Sequence, residues 1–300
     1  MNKPLILYIP GLLPKPEAGI HKDALRRCLL AGVERVDPEV ADELRKEEHC
    51  FDVVAWTFDF YREHRDFLLD AKSVDTLVEQ VHTTETDIVE ASAMTKRIMR
   101  WIYRTGDLFP FLIPHLAPQR IEIHLRDLRR YIRNQNGIGD HTREMLKLPM
   151  RAASEMDRPI LLLAHSMGSV IAYESLWEMS HDSHDDLVLD MLVTMGSPLG
   201  QTYVQRRMLG HDRSGAERYP GNVRRWVNLA AVGDMTAVDP VLADDFREML
   251  RLGLVESIED IEIFNAFRLD GMLNEHAEYG YLINRVTADL VVRWWREQRG

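Results

Sequence analysis

P-I-L-L-L-A-H-S-M-G-S-V-I-A-Y-E, residues 159–174, is the stretch on which the fold turns. Ile160–Ala164 is a continuous apolar run with no polar alternation. A strand buried on both faces of a parallel sheet reads this way. Further on, Ile171, Ser175 and Met179 recur at spacing four, with Ala172 and Leu176 beside them, so Val170–Met179 reads as a helix. Strand and helix are therefore joined by a sharp turn across Ala164–Gly168. Similar apolar runs lie at Leu5–Ile9, Val53–Thr57, Leu187–Thr194 and Trp226–Ala231, with a weaker one at Ile261–Phe267. Tyr281–Gln298 is an amphipathic helical pattern, with Trp294 and Trp295 on its core edge or at a dimer contact. Strands alternating with helices predict an α/β protein with a doubly wound, mostly parallel sheet.

The stretch 59–149 breaks this rhythm, being far longer than one crossover helix needs. It reads as several helices. Val74, Leu77, Val78 and Val81 form one stripe; Ile98, Trp101 and Ile102 lie on another; Ile121, Leu125, Leu128 and Ile132 form a third. Between the second and third, three prolines punctuate D-L-F-P-F-L-I-P-H-L-A-P (107–118), and N-Q-N-G-I-G (134–139) reads as a turn. The expectation is a core of 1–58 and 150–300, with 59–149 as a helical insertion before the strand at Ile160 that includes one core crossover helix.

The chain has 300 residues, 45% of them apolar, enough for one large domain with a sizeable core. Its net charge of −11 argues against a sequence-blind nucleic-acid partner. The basic run R-R-Y-I-R (129–133) alternates with apolar residues and reads as a helix face. Two cysteines, Cys28 and Cys50, make no disulfide framework and suit a reducing compartment. The apolar run before Pro10 is too short for a signal-peptide core, and no stretch approaches the roughly 18–20 apolar residues of a membrane span. The expectation is a soluble, cytoplasmic protein. H-D-S-H-D-D (181–186) holds metal-ligand residue types but reads as a solvated turn, so no metal site is expected.

The turn at Ser166 carries the chemistry. A serine hydroxyl is a weak nucleophile unless it is exposed and aimed at a base. A strand-to-helix turn gives Ser166 that exposure in a strained backbone, and small residues two before and two after, Ala164 and Gly168, let the backbones pack. The Met167 N–H, at the helix start, is a natural oxyanion donor. His165 adjoins the nucleophile and points elsewhere, so it reads as a packing residue. In such sites the partners follow in the order Ser, Asp or Glu, His. After Trp226–Ala231 the one remaining histidine is His276, in M-L-N-E-H-A-E-Y-G-Y. The acid is Asp234, just past that strand, or Asp239, which precedes Pro240 and also reads as a helix cap. The second oxyanion donor is expected from the loop after the first strand, where Gly11 permits a tight turn and Leu12 supplies an N–H.

Y-I-P-G-L-L, A-H-S-M-G-S, V-T-M-G-S-P-L-G, W-V-N-L-A-A-V-G-D and N-E-H-A, in that order, resemble the α/β-hydrolase superfamily on its lipase/esterase side. Ala164 stands where the general pattern has Gly, a variant seen in several lipase groups, and Pro10-Gly11 departs from the usual His-Gly. The resemblance covers about 1–58 and 150–300. It implies a carboxylic ester hydrolase working through an acyl-enzyme on Ser166, without a cofactor, on a small-molecule or lipid ester. An acyltransferase or thioesterase with the same triad, or an inactive binding module on the same fold, are the alternatives. The apolar segment 108–114, with Trp101 and Tyr103 nearby, would serve as an acyl-pocket lining, a lid, or a peripheral membrane contact. Substrate and oligomeric state are not legible.

Overall fold

The computed structural model of the chain describes residues 3–80, 82–93, 119–181 and 186–299. Its strands are β1 (Leu5–Ile9), β2 (Phe51–Val53), β3 (Ile160–His165), β4 (Leu189–Met195), β5 (Val223–Ala231), β6 (Ser257–Ile263), β7 (Arg268–Leu269) and β8 (Met272–Leu273). Its α-helices are α1 (Ala18–Val36), α2 (Pro38–Lys46), α3 (Trp56–Tyr61), α4 (Leu68–Glu79), α5 (Glu85–Ala91), α6 (Gln119–Ile132), α7 (Ile138–Glu155), α8 (Met167–His181), α9 (Thr202–Gln205), α10 (Leu242–Asp245), α11 (Arg247–Arg251), α12 (Glu278–Ile283) and α13 (Arg285–Glu297).

Six strands form one sheet in the order β2-β1-β3-β4-β5-β6, each neighbouring pair parallel. The continuous apolar runs have the cause expected of them. Leu5, Leu7 and Ile9 of β1 enter one core, and Ile6 and Tyr8 enter the other. β3 divides the same way, with Leu162 and Ala164 on one face and Leu161 and Leu163 on the other. Helices α7 and α8 cover the first face; α1 and α13 cover the second. The architecture is an α/β sheet flanked by helices.

Two strand boundaries differ from the sequence expectation. The run Val53–Thr57 supplies only the end of β2; from Trp56 the chain turns helical, and the Trp56 indole donates to the Pro10 carbonyl at 2.9 Å. The last strand of the six-stranded sheet lies earlier, at Ser257–Ile263, and its Asp260 accepts the Leu242 and Ala243 amides, both at 2.9 Å. A cap on α10 that the sequence assigned to Asp239 thus comes mainly from a neighbouring strand. The C-terminal pattern divides into α12 and α13, where the Asn284 side chain caps the second helix by accepting the Val286 amide at 2.9 Å.

Helices α4, α6 and α7 bury apolar residues in the two cores of the sheet. Val74 and Leu77 of α4 enter the core beside α1, whereas Leu128 and Tyr131 of α6 and Leu146 of α7 enter the opposite one. Asn134, Asn136 and Gly137 adopt left-handed backbone between α6 and α7, the turn expected there. Val81, Ile98, Trp101, Ile102, Tyr103 and the segment 108–114 lie outside the described residues, as do the side chains of Ile121 and Leu125. Among the described residues no helix is long and apolar enough to cross a membrane. Cys28 and Cys50 are both buried free thiols, pushed up to about 12 and about 11 by burial.

Candidate active site

β3 enters the turn at the carboxyl end of the sheet, and Ser166 takes φ +53° before α8 begins at Met167. A residue with a Cβ reaches this left-handed region only under constraint. The constraint comes from both flanks. The Ser166 N–H donates to the Met195 carbonyl at 2.8 Å, extending the β3–β4 ladder into the turn. On the other flank a Cβ on Gly168 would sit 2.4 Å from the Ile9 carbonyl oxygen, and one on Gly11 2.6 Å from the Ser166 Cβ. Only glycine at both positions lets the loop after β1 close on the turn.

His276 comes from the segment between β8 and α12. Its Nε2 accepts from the Ser166 hydroxyl at 2.8 Å, while its Nδ1–H faces both oxygens of Asp234, at 3.0 and 2.9 Å. Ser166, His276 and Asp234, called from three separate stretches, therefore form one hydrogen-bonded chain. Of the two acids the sequence offered, Asp234 faces Nδ1, while Asp239 Oδ1 accepts the Val241 amide at 3.4 Å. The Asp234 side chain is fully buried and also accepts the Thr236 amide at 2.8 Å and the Tyr281 hydroxyl at 2.7 Å. Burial alone would raise its pKa. The charge and hydrogen bond of His276, with these two further donors, outweigh burial and hold it below the ordinary carboxylate range.

The two amides expected to face an oxyanion flank Ser166. Met167 opens α8, so its N–H has no acceptor within the helix. Leu12 follows Gly11, which packs on Ser166, and lies between two tethered neighbours. The Pro10 carbonyl accepts from Trp56, and the Leu13 amide donates to the Tyr61 hydroxyl at 3.1 Å. Leu13 itself takes φ +75°.

Several neighbours of this hydrogen-bonded chain were not legible in the sequence. Tyr281 accepts from the Ala231 amide at 2.8 Å while donating to Asp234, so one hydroxyl ties the acid to the end of β5. A tyrosine buried in a helix needs a partner for its hydroxyl, the one signal that could have found it. Gly196, at φ +56°, leaves room for the group; a Cβ there would lie 2.7 Å from Asp234 Oδ2 and 3.0 Å from His276 Nδ1. His165, read as packing, is buried as expected but does more. Its Nε2–H donates to the His276 carbonyl at 2.9 Å, fixing the segment that carries the imidazole. Burial, reinforced by the nearby His276, pushes its pKa down to about 3 and keeps the ring neutral. Two residues past His276, buried Glu278 accepts from Tyr8 at 2.9 Å, Lys15 at 3.0 Å and His21 at 2.9 Å, pinning α12 to β1 and α1. Burial would raise the Glu278 pKa, but Lys15 and His21 hold it well below the ordinary range.

Among the described residues no group of three or more His, Cys, Asp or Glu side chains is arranged to hold a metal ion. In the 181–186 stretch, residues 182–185 lie outside the described set, and the His181 ring donates to the Tyr219 carbonyl at 2.8 Å. Comparison with known proteins finds no matching family model, curated protein or solved structure. Fold and geometry therefore define the class as far as an α/β protein with a parallel sheet and a Ser–His–Asp hydrogen-bonded chain at the carboxyl end of its strands.

Proposed function

We propose that this protein is a serine hydrolase of the α/β-hydrolase type that cleaves a carboxylic ester through an acyl-enzyme on Ser166. One observation carries the reading: a serine at positive φ, its hydroxyl bonded to an imidazole whose other nitrogen faces a buried carboxylate. Hydroxyl, base and orienting acid in this relation are the parts that nucleophilic acyl transfer requires.

The chemistry follows from the atoms. His276 Nε2 takes the Ser166 proton as Oγ attacks the ester carbonyl carbon. Asp234 stabilises the imidazolium through Nδ1–H and fixes the tautomer. The Leu12 and Met167 amides receive the charge on the former carbonyl oxygen. Collapse breaks the carbon–oxygen bond to the alcohol, which leaves with the proton from Nε2. Water, deprotonated by the same nitrogen, then attacks the acyl-enzyme and releases the acid. The mechanism uses no cofactor. In this reading 59–149 is a helical insertion before the nucleophile strand that includes one core crossover helix, and the enzyme is soluble and cytoplasmic.

Labelling with a fluorophosphonate probe tests this directly. Wild-type protein should label and Ser166→Ala should not, with both equally folded. Folded wild type that fails to label would sink the reading in favour of an inactive binding module. Transfer of the acyl group to added alcohol in preference to water would turn it into an acyltransferase.

A further inference from the structure

Along α6 lies a cavity of about 390 Å³ whose wall holds Arg126, Arg129, Arg130 and Arg133, with Tyr61, Asp127 and Gln135. Its charge is conspicuous. Residues 119–133 carry five arginines against Glu122 and Asp127, in a chain whose net charge is −11. The four lining arginines follow the spacing i, i+3, i+4, i+7, which puts them on one side of α6 and its C-terminal turn. Like charges at these spacings repel, so folding gains nothing from assembling them. Cations near a helix C-terminus do favour its dipole, which explains the sign of Arg129, Arg130 and Arg133 but not the concave wall they share.

The arginines are tethered in ways that leave donors over. Arg126 Nε binds Asp127 at 2.9 Å, Arg129 Nε reaches the Tyr203 hydroxyl at 3.3 Å, and Arg130 Nη1 donates to the Phe60 carbonyl at 2.8 Å. The Arg130 guanidinium also lies 4.2 Å over the Phe60 ring. Each of these bonds uses one of the five N–H donors of a guanidinium. Asp127 is itself engaged by Tyr61 at 2.9 Å as well as by Arg126. The wall thus offers several forked donors and a net positive charge, the pattern that recognises phosphate.

One residue of the wall connects through the loop after β1 to Ser166. Tyr61 accepts the Leu13 amide at 3.1 Å, and Gly11, two residues earlier, packs on Ser166. Two residues of chain span at most about 7 Å, so the Tyr61 hydroxyl lies within roughly 14 Å of the Ser166 Oγ. A single small ester can bridge that distance.

We propose that this cavity binds the phosphate of the ester substrate, so that the enzyme acts on acyl esters of phosphorylated alcohols; this rests on the reading of Ser166 as the nucleophile. A soluble phosphoester and a phospholipid headgroup would present the same group to the arginines.

The test separates cavity from nucleophile. In Ser166→Ala protein, inorganic phosphate binding measured by calorimetry should weaken at least about tenfold on adding Arg126→Gln and Arg133→Gln, the scale of one lost charge-assisted hydrogen bond. This arm needs no catalysis, so it stands even if fluorophosphonate labelling fails. In otherwise wild-type protein, the ratio of kcat/KM for 1-butyryl-glycerol 3-phosphate over monobutyryl glycerol should fall by a similar factor in the double variant. Unchanged phosphate binding, or equal loss on both esters, overturns the proposal. Co-sedimentation with phosphatidylglycerol-containing vesicles, lost in the double variant and absent with phosphatidylcholine alone, assigns the phosphate to a lipid headgroup; no vesicle binding alongside the soluble-ester effect assigns it to a soluble substrate. Thermal midpoints check that the variants remain folded.

Discussion

Tyr281→Phe isolates the part of the site that holds the acid. The substitution keeps the ring and removes the hydroxyl that donates to Asp234 Oδ2 at 2.7 Å and accepts the Ala231 amide at 2.8 Å. Asp234 then keeps the Thr236 amide and His276 and loses one of its donors. A hydrogen bond to a charged group contributes about 1.5–3 kcal/mol, and leaving the Ala231 N–H unsatisfied costs about 1–3 kcal/mol more in stability. In the proposed mechanism Asp234 holds the imidazolium in the transition state. Losing about 1.4–2.8 kcal/mol there lowers kcat/KM by about 10- to 100-fold. The pH dependence carries a sign. The folded Asp234 pKa lies below the ordinary 3.8, so its stabilising contribution is full above that value and disappears as pH falls through the folded one. Removing a donor raises the folded pKa, so the variant should unfold at a higher pH on the acid side. Hydrolysis of p-nitrophenyl butyrate, the fluorophosphonate labelling rate and acid titration followed by circular dichroism measure all three. A folded variant with kcat/KM within about twofold of wild type would refute the assignment of Tyr281 as a positioning residue.

Other perturbations have equally definite outcomes. Gly196→Ala places a Cβ at φ +56° and 2.7 Å from Asp234 Oδ2, so it should cost at least about 1–2 kcal/mol by thermal unfolding and suppress Ser166 labelling; an alanine variant with wild-type stability and labelling contradicts this. Glu278→Ala strips the buried carboxylate from Lys15, His21 and Tyr8 and should destabilise by about 3–5 kcal/mol in urea unfolding, whereas a loss below about 1 kcal/mol would show that the network contributes little to stability. His165 has a folded pKa near 3 against 6.5 unfolded, so between those values the unfolded chain binds a proton that the folded one refuses, and stability falls as pH drops. His165→Phe should flatten that slope by up to about 1.4 kcal/mol per pH unit and lower kcat/KM through the freed His276 carbonyl; an unchanged slope between pH 6.5 and 3 refutes the buried neutral imidazole.

The amino-acid sequence by itself determined the parallel α/β class of the sheet and the order of Ser166, Asp234 and His276 along the chain. The runs at Leu5–Ile9 and Ile160–Ala164 are apolar without alternation because both faces of a parallel strand are buried, so their two-sided packing was legible before any contact was known. Ser166 was legible because a strand running into a helix across small residues leaves one geometry for the turn. His276 was legible because no other histidine follows the fifth strand. Tertiary structure decided the rest. The sequence favoured Asp234, just past the fifth strand, over Asp239 before Pro240, but only the path from β5 brings its carboxylate to His276 Nδ1. The end of β2 at Val53 depends on Trp56 finding the Pro10 carbonyl, a partner 46 residues away. Tyr281, Gly196, His165 and Glu278 act through atoms supplied by distant segments, and the arginine wall of α6 acquires its meaning only beside Tyr61. Periodicity reports which face of an element is buried; it carries no record of which hydrogen-bonding groups meet there, because those pairings are set by long-range packing.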